Sequence, residues 1–223
     1  CHSSLSFGFE DGRTFTLAAY QQQAAMFRHR WFKQHMPHLH RPACKLSTIC
    51  ECEIPPEAVA AEYWRIVESG NNNIPLEVEY GSDLDVSECG TAFPSTGIFA
   101  RHGWNINVMP KSTKSILRHL SNISGVSIPW MYEGMLFSSF CWHSEDHHAY
   151  SINYLHTGAI KQWYGIPSSA ASQFESIAKK EMSHLFTRQS DLLFHMITMI
   201  SPRILKENNI PCYALQQHAG EFV

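Results

Sequence analysis

The chain has 223 residues, of which 44% are hydrophobic, enough to bury the core of one domain. Its formal net charge is −3, and Lys or Arg residues adjoin only at Lys179–Lys180, so direct nucleic-acid binding by this segment is not indicated. No run of about 18 apolar residues is present, which argues against a membrane-spanning helix. The cysteine count is odd, seven, without framework spacing, and favours a reducing compartment over a disulfide-rich secreted domain.

Helical periodicity appears first near the N-terminus. Apolar residues at three- and four-residue spacing predict an amphipathic helix over 14–32, capped by Thr14 or Thr16. The proline-containing stretch 33–55 is expected to be a connection. A second helix is predicted after Pro55–Pro56 and should end at Gly70. We therefore interpret residues 1–70 as a helical N-terminal segment and linker that packs on a barrel.

The remainder, residues 71–223, is interpreted as that barrel domain. Alternation of apolar and polar residues predicts a strand over 76–80, ending at Gly81. From 126 to 164 the segments are short, aromatic and β-branched, and glycines interrupt them, which is typical of antiparallel β-structure. Further helices are predicted at 115–120, 168–181 and 190–207, with Pro202 at the start of a further turn.

One histidine and one carboxylate, His143 and Glu145, are separated by a single residue in a segment that is predicted to be a strand. Side chains two residues apart on a strand share a face. Such a pair can supply two ligands of a 2-His-1-carboxylate site, which leaves open positions on non-haem Fe(II). If the strand continues, His147 shares this face but lies too far along to be the third ligand.

A cation is available for a dicarboxylate co-substrate such as 2-oxoglutarate. This molecule needs open metal positions for its keto-acid end and a buried cation for its far carboxylate. Lys161, helped by the Tyr80 hydroxyl, can supply a charge-assisted hydrogen bond to that carboxylate. Asn153 lies eight residues before Lys161, and Phe140 would form a side wall of the pocket.

The stretches 138–147 (SSFCWHSEDH), 150–156 (YSINYLH) and 163–167 (WYGIP) carry a family resemblance. They resemble the JmjC catalytic domain of histone lysine demethylases, with the best match in the lysine-specific demethylase 5 (JARID) subfamily. The resemblance implies a mainly β fold with flanking helices, a double-stranded β-helix (jelly-roll, cupin-like), incomplete at its C-terminal end. Shorter supporting motifs lie at 7–10, 78–81, 103–105, 129–132 and 219–223.

The resemblance also implies roles for individual residues. His143 and Glu145 would bind Fe(II). Gly125 and Tyr132 match positions near the methylated lysine, where an aromatic face can attract a methylammonium; an ordinary core tyrosine is the alternative for Tyr132. The residues implied to bind 2-oxoglutarate are Tyr80, Phe140, Ser151, Asn153, Lys161 and Trp163.

The implied activity is that of a dioxygenase that uses Fe(II), 2-oxoglutarate and O2 to demethylate histone lysine. The subfamily resemblance implies histone H3 lysine-4 as the target, with the methylated H3 tail and chromatin complexes as partners, in the nucleus. No membrane partner is expected. A JmjC protein hydroxylase and a non-catalytic JmjC scaffold remain alternatives. The presence of His143, Glu145 and Lys161 argues against the scaffold, because inactive relatives typically lose these residues.

The chain departs from the family pattern in one respect. In the family, a second metal-binding histidine follows the Gly-Glu-Phe-Val motif, and here Val223 is the last residue. We therefore expect this polypeptide by itself to bind Fe(II) weakly and to turn over little.

Two further groups were considered as sites. The cluster at 35–52 contains histidines and cysteines whose spacing is not that of a standard zinc finger, and a His-rich loop is favoured over a zinc site. Cys141 is interpreted as a small apolar filler of the core and not as a nucleophile. The residues of the cluster are His35, His38, His40, Cys44, Cys50 and Cys52.

Overall fold

The computed structural model describes residues 10–39, 54–69, 76–183 and 199–223. The chain divides into two compact units. Unit 1 comprises residues 1–11, 29–77 and 139–223, and unit 2 comprises residues 12–28 and 78–138. Of the helices in the described ranges, none has both the length and the apolar character needed to traverse a membrane. The predicted division into segments 1–70 and 71–223 stays a prediction.

Helices and short strands alternate along the described chain. The helices are α1 (Leu17–His35), α2 (Pro56–Ser69), α3 (Val86–Cys89), α4 (Ala171–Glu181) and α5 (Pro202–Glu207). The strands are β1 (Gly81–Asp85), β2 (Trp130–Glu133), β3 (Lys161–Gly165) and β4 (Tyr213–Gln217). Single 3-10 turns occur at Met109–Lys111, Ile116–His119, Asp146–His148 and Ser168–Ala170.

The two N-terminal helices are confirmed close to their predicted limits. At the start of α1, the Thr16 hydroxyl accepts a hydrogen bond from the Ala19 N–H at 3.3 Å, which satisfies a donor in the first turn. Helix α2 begins at Pro56, where the missing proline N–H costs nothing, and ends at Ser69. In unit 1 the last turns of α1 bury Phe32, which is 1% exposed.

Unit 1 contains a two-stranded antiparallel sheet, in which β3 pairs with β4 so that Lys161 faces Gln217 and Gly165 faces Tyr213. A second antiparallel pairing joins the preceding loop to the C-terminus. The Asn153 N–H donates to the Val223 carbonyl at 2.7 Å, and the Val223 N–H donates back at 2.9 Å. Both pairings bring the segment 153–165 against residues near the end of the chain.

One apolar core cluster of unit 1 lies between α4 and α5 and comprises Ala170, Ala178, Ile200, Leu205 and Ile210. Residues 199–201 are not helical, and the Ser201 hydroxyl caps α5 by accepting from the Ile204 N–H at 3.4 Å. The helix predicted over 190–207 is therefore wrong for residues 199–201, whereas the further turn predicted to start at Pro202 is confirmed by α5. Residues 184–198 lie outside the described ranges.

Unit 2 is organised around the antiparallel pair β1–β2, with Asp85 opposite Trp130 and Gly81 opposite Glu133. The strand predicted over 76–80 is wrong, because the paired segment begins only at Gly81. Alternation within a sequence does not specify where a distant partner makes hydrogen bonds. The helix predicted at 115–120 is a 3-10 turn, Ile116–His119, capped by the Ser115 hydroxyl.

Candidate active site

His143 and Glu145 lie in unit 1, next to the buried Cys141. The His143 Nε2 atom is 3.8 Å from Glu145 Oε1, and the two side chains are 30% and 42% exposed. The other ring nitrogen, Nδ1, is 2.8 Å from the Cys141 carbonyl oxygen. A carbonyl only accepts, so Nδ1 carries the proton in this hydrogen bond. The lone pair of the neutral ring is then on Nε2, the nitrogen nearest Glu145.

This donor pair fits a divalent metal ion. Neighbouring ligands at about 2.1 Å from an octahedral ion are about 3 Å apart, so a shift of under about 1 Å would bring Nε2 and Oε1 onto one ion. One imidazole and one carboxylate are the ligand types that non-haem Fe(II) takes. Among the residues that the structure describes, no third His, Cys, Asp or Glu completes the group.

The segment that carries the pair is not a regular strand. Glu145 has extended backbone angles, φ −64° and ψ 148°, but a 3-10 turn follows at Asp146–His148, and His147 has φ 55°. The expectation that His147 continues a strand face is therefore wrong. The segment 140–145 has no strand partner within the described ranges, so local alternation was not enough to predict a strand here.

A second group of predicted residues assembles around Lys161. Its ammonium donates to Asn153 Oδ1 at 3.0 Å. Nζ is 5.4 Å from the ring centre of Phe140 and 5.7 Å from that of Trp163. These two rings lie nearly parallel, at 16° with centres 6.4 Å apart. Among the described residues, the ammonium therefore has two aromatic neighbours and one neutral hydrogen-bond partner. The family resemblance implied that these residues form one binding group.

Burial lowers the pKa of the Lys161 ammonium, because removal from water disfavours the charged form. Within the described ranges no carboxylate forms an ion pair with Lys161. Contact with aromatic rings replaces only part of the lost hydration. A half-buried cation with spare donors is suited to an incoming anion, since a carboxylate would supply the missing charge partner.

Gln217 was not identified from the sequence. Its side chain is fully buried, at 0% exposure, and lies on the strand position opposite Lys161. It accepts a hydrogen bond from Trp163 Nε1 at 2.8 Å and donates to the Asn153 carbonyl at 3.1 Å. No motif signals this residue. Only the β3–β4 register brings it to the site.

Ser151 is not brought to this group by any contact in the structure: it is exposed and makes no hydrogen bond with Lys161 or Asn153. Its predicted contact with 2-oxoglutarate stays a prediction.

Tyr80, Tyr132 and Gly125 lie in unit 2. The rings of the two tyrosines stack, with centres 6.1 Å apart, and the Tyr132 hydroxyl donates to Asp83 Oδ1 at 2.8 Å. Burial, and then the neighbouring Tyr132, raises the pKa of the Tyr80 hydroxyl, which is therefore a neutral hydrogen-bond donor. Both tyrosines are half-buried, so the ordinary core role for Tyr132 stays open. Their predicted ligand contacts stay predictions.

Gly125 has a conformational role within unit 2. Its φ is 78°, and a Cβ built at this position would lie 2.6 Å from Cζ2 of the Trp130 ring. The Trp130 indole N–H donates to the Ser124 hydroxyl at 2.7 Å and keeps the ring against the turn. The absence of a side chain is thus required by local packing.

The other considered groups give no additional site among the described residues. Cys141 is 4% exposed, and burial raises the pKa of its thiol to about 12, which supports the filler interpretation. His35 stacks on Trp31, with ring centres 4.0 Å apart. His40, Cys44, Cys50 and Cys52 lie outside the described residues, so the zinc question stays a prediction.

Comparison with known proteins identifies the domain. Residues 130–223 match the JmjC domain, described as a hydroxylase. JMJ16 of Arabidopsis thaliana is 43% identical over 230 residues, which cover 98% of this chain and 19% of JMJ16. Lysine-specific demethylase JMJ17 of the same plant is 40% identical over 232 residues, covering 98% of this chain and 18% of JMJ17.

A rice relative gives the same result. Lysine-specific demethylase JMJ703 of Oryza sativa subsp. japonica is 41% identical over 227 residues, covering 97% of this chain and 17% of JMJ703. The chain thus spans less than a fifth of the length of these relatives. Residues 130–223 thus match the JmjC domain, whose fold is the cupin-like jelly-roll, and the chain is homologous to JmjC lysine-specific demethylases.

Proposed function

We propose that the protein carrying this chain is an Fe(II)- and 2-oxoglutarate-dependent demethylase of histone lysine. JmjC enzymes in general depend on Fe(II) and 2-oxoglutarate. The observation that supports the proposal best is the Lys161 ammonium, half-buried beside two aromatic rings without a carboxylate partner among the described residues. It lies in the same unit as the His143–Glu145 pair.

Each residue has a defined task in this proposal. His143 Nε2 and Glu145 Oε1 would hold the metal, and the Cys141 carbonyl keeps the imidazole in the required tautomer. Lys161 would bind the far carboxylate of 2-oxoglutarate, a charge-assisted hydrogen bond that strengthens as water is excluded. Phe140 and Trp163, whose ring centres lie 5.4 and 5.7 Å from Nζ, would exclude water from that end of the co-substrate.

When bound, Fe(II) and 2-oxoglutarate supply the oxidising chemistry with O2 that a protein side chain cannot. Held by His143, Glu145 and Lys161, they would supply the conversion of 2-oxoglutarate and O2 to succinate and CO2, with the second oxygen atom available to the N-methyl group. The hydroxymethyl group would then leave as formaldehyde; the electron pair of the broken C–N bond stays on nitrogen, and the hydroxyl proton is released and taken up there. Because oxidation is at carbon, no nitrogen lone pair is needed, and a trimethylated lysine is an allowed substrate.

Substrate choice rests on similarity and on the aromatic residues of unit 2. Two of the relatives are named lysine-specific demethylases. Tyr132 offers an aromatic face for a methylammonium. The resemblance supports a place for Gly125 near the substrate and for Tyr80 near the co-substrate. The subfamily resemblance supports histone H3 lysine-4 as the target. A nuclear location and a place in chromatin complexes complete the proposal.

The test is formaldehyde release from matched histone H3 peptides, trimethylated at lysine-4 or at another lysine, together with peptide mass. We expect the lysine-4 peptide to lose about 14 mass units, the mass of a CH₂, for each methyl group removed. His143→Ala should abolish this loss. No demethylation of any methyl-lysine peptide by the protein that carries this chain would refute the proposal.

A JmjC protein hydroxylase is the second candidate, because the matching domain is described as a hydroxylase. It shares the metal and co-substrate residues, so only the product differs. A peptide that gains one oxygen without losing a methyl group would favour this function.

A further inference from the structure

Gln217 is a buried amide whose hydrogen bonds are specific. Its Oε1 accepts from Trp163 Nε1 at 2.8 Å, while Nε2 donates to the carbonyl oxygens of Asn153 at 3.1 Å and Glu221 at 3.0 Å. Both amide donors are therefore used, and the side chain is 0% exposed. A buried amide with these bonds made has one favourable orientation, since rotation would break them without water to replace them.

The partners of Gln217 are the neighbours of the Lys161 ammonium. Trp163 provides one of the two rings beside Nζ, and Asn153 provides the oxygen that Nζ contacts. The register also places Gln217 directly opposite Lys161 in the β3–β4 pair. One amide thus connects the ring, the hydrogen-bond acceptor and the strand that surround the cation.

We propose that Gln217 is a positioning residue for the anionic co-substrate. It acts through Trp163 and Asn153, which it holds where Lys161 can present its remaining N–H groups to a carboxylate. The inference rests on the proposed function, in that 2-oxoglutarate is the anion. A leucine at position 217 would leave the Trp163 indole N–H unpaired and would remove one of two hydrogen bonds from each of the Asn153 and Glu221 carbonyls. A glutamate would turn an acceptor toward these two carbonyls and place a negative charge opposite Lys161.

The chain contains a matched control. Gln216 precedes Gln217 on β4, and its side chain points to the opposite sheet face, where Nε2 donates to Glu57 Oε1 at 3.1 Å. Gln216→Leu removes an amide of the same size from the same strand without touching Trp163, Asn153 or Lys161. Comparison of the two leucine variants separates positioning of the cation from general support of the sheet.

The experiment is calorimetric titration of 2-oxoglutarate into the Mn²⁺-loaded protein that carries this chain, since Mn²⁺ takes carboxylate and imidazole ligands. We expect Gln217→Leu to bind 2-oxoglutarate about tenfold more weakly, equivalent to about 1.4 kcal/mol, and Gln216→Leu to bind within about twofold of the unsubstituted protein. Unchanged affinity in Gln217→Leu would overturn the role of Gln217. No binding by the unsubstituted protein would instead overturn the proposed function, and the inference with it.

Two readouts distinguish positioning from stability. In the Fe(II)-loaded protein, Gln217→Leu should raise KM for 2-oxoglutarate while kcat at saturation changes little; a lower kcat with unchanged KM contradicts positioning. The Trp163 indole N–H resonance, assigned with Trp163→Phe, should shift in Gln217→Leu and stay in place in Gln216→Leu. If Gln217→Leu does not fold, the near-isosteric Gln217→Glu makes the same test, and unchanged 2-oxoglutarate affinity in it overturns the proposal.

Discussion

Replacement of Lys161 by methionine should weaken co-substrate binding without weakening the ligand-free fold. Methionine retains an unbranched stem beside the rings of Phe140 and Trp163 but has no charge. Burial lowers the pKa of the Lys161 ammonium, so the charge is disfavoured in the folded, ligand-free protein. Its removal offsets the lost hydrogen bond to Asn153, and we expect the free energy of unfolding to change by under about 1 kcal/mol.

Binding of 2-oxoglutarate should respond far more strongly. Truncation of one partner in a desolvated, hydrogen-bonded charge pair costs about 2–5 kcal/mol. A loss of about 3 kcal/mol corresponds to a little over a hundredfold in Kd. Calorimetric titration of 2-oxoglutarate into the Mn²⁺-loaded protein measures the loss, and chemical unfolding of the ligand-free protein measures stability. Binding by Lys161→Met within about threefold of the unsubstituted protein would refute the reasoning.

Lys179→Met is the matched control, because it makes the same change of charge at an exposed position of α4. Its 2-oxoglutarate affinity should equal that of the unsubstituted protein. A general effect of net charge would weaken both variants equally, and this result would contradict the assignment of the anion site to Lys161.

The sign of the pH dependence follows from the lowered pKa of Lys161. Between the folded pKa and the ordinary value of 10.5, the unfolded chain binds more protons than the folded chain. The contribution of this group to ligand-free stability therefore rises with pH in that window. Affinity for 2-oxoglutarate should fall over the same window as the ammonium loses its proton. Lys161→Met should show neither change.

Two further predictions concern packing. Gly125→Ala should destabilise the protein by about 2 kcal/mol more than Gly97→Ala. Both positions have positive φ, but only at Gly125 would the new Cβ meet a ring, 2.6 Å from Trp130. Equal losses of unfolding free energy in urea would contradict the clash. Thiol labelling followed by mass spectrometry should modify the exposed Cys89 in the native protein and spare Cys141, whose pKa burial raises to about 12; native-state labelling of Cys141 would contradict its burial.

Local signals located the two N-terminal helices. Helix α2 lies where Pro55–Pro56 and the apolar spacing predict it, and α1 extends from Leu17 to His35 against a predicted 14–32. Caps, prolines and periodicity act within one or two turns, so the sequence contains them in full. The predicted strand at 76–80 failed because a strand depends on a partner: β1 begins at Gly81, where pairing with β2 starts.

The chemistry of the candidate site was determined by the sequence itself: an imidazole and a carboxylate at His143 and Glu145, and a cation at Lys161. These are properties of single residues and short spacings. Only the tertiary structure decided that Trp163 meets Gln217, 54 residues away, and that Asn153 meets the Lys161 ammonium. The reason is physical: strand register and burial arise from backbone hydrogen bonds between distant segments, and no local pattern encodes which side chains those bonds bring face to face.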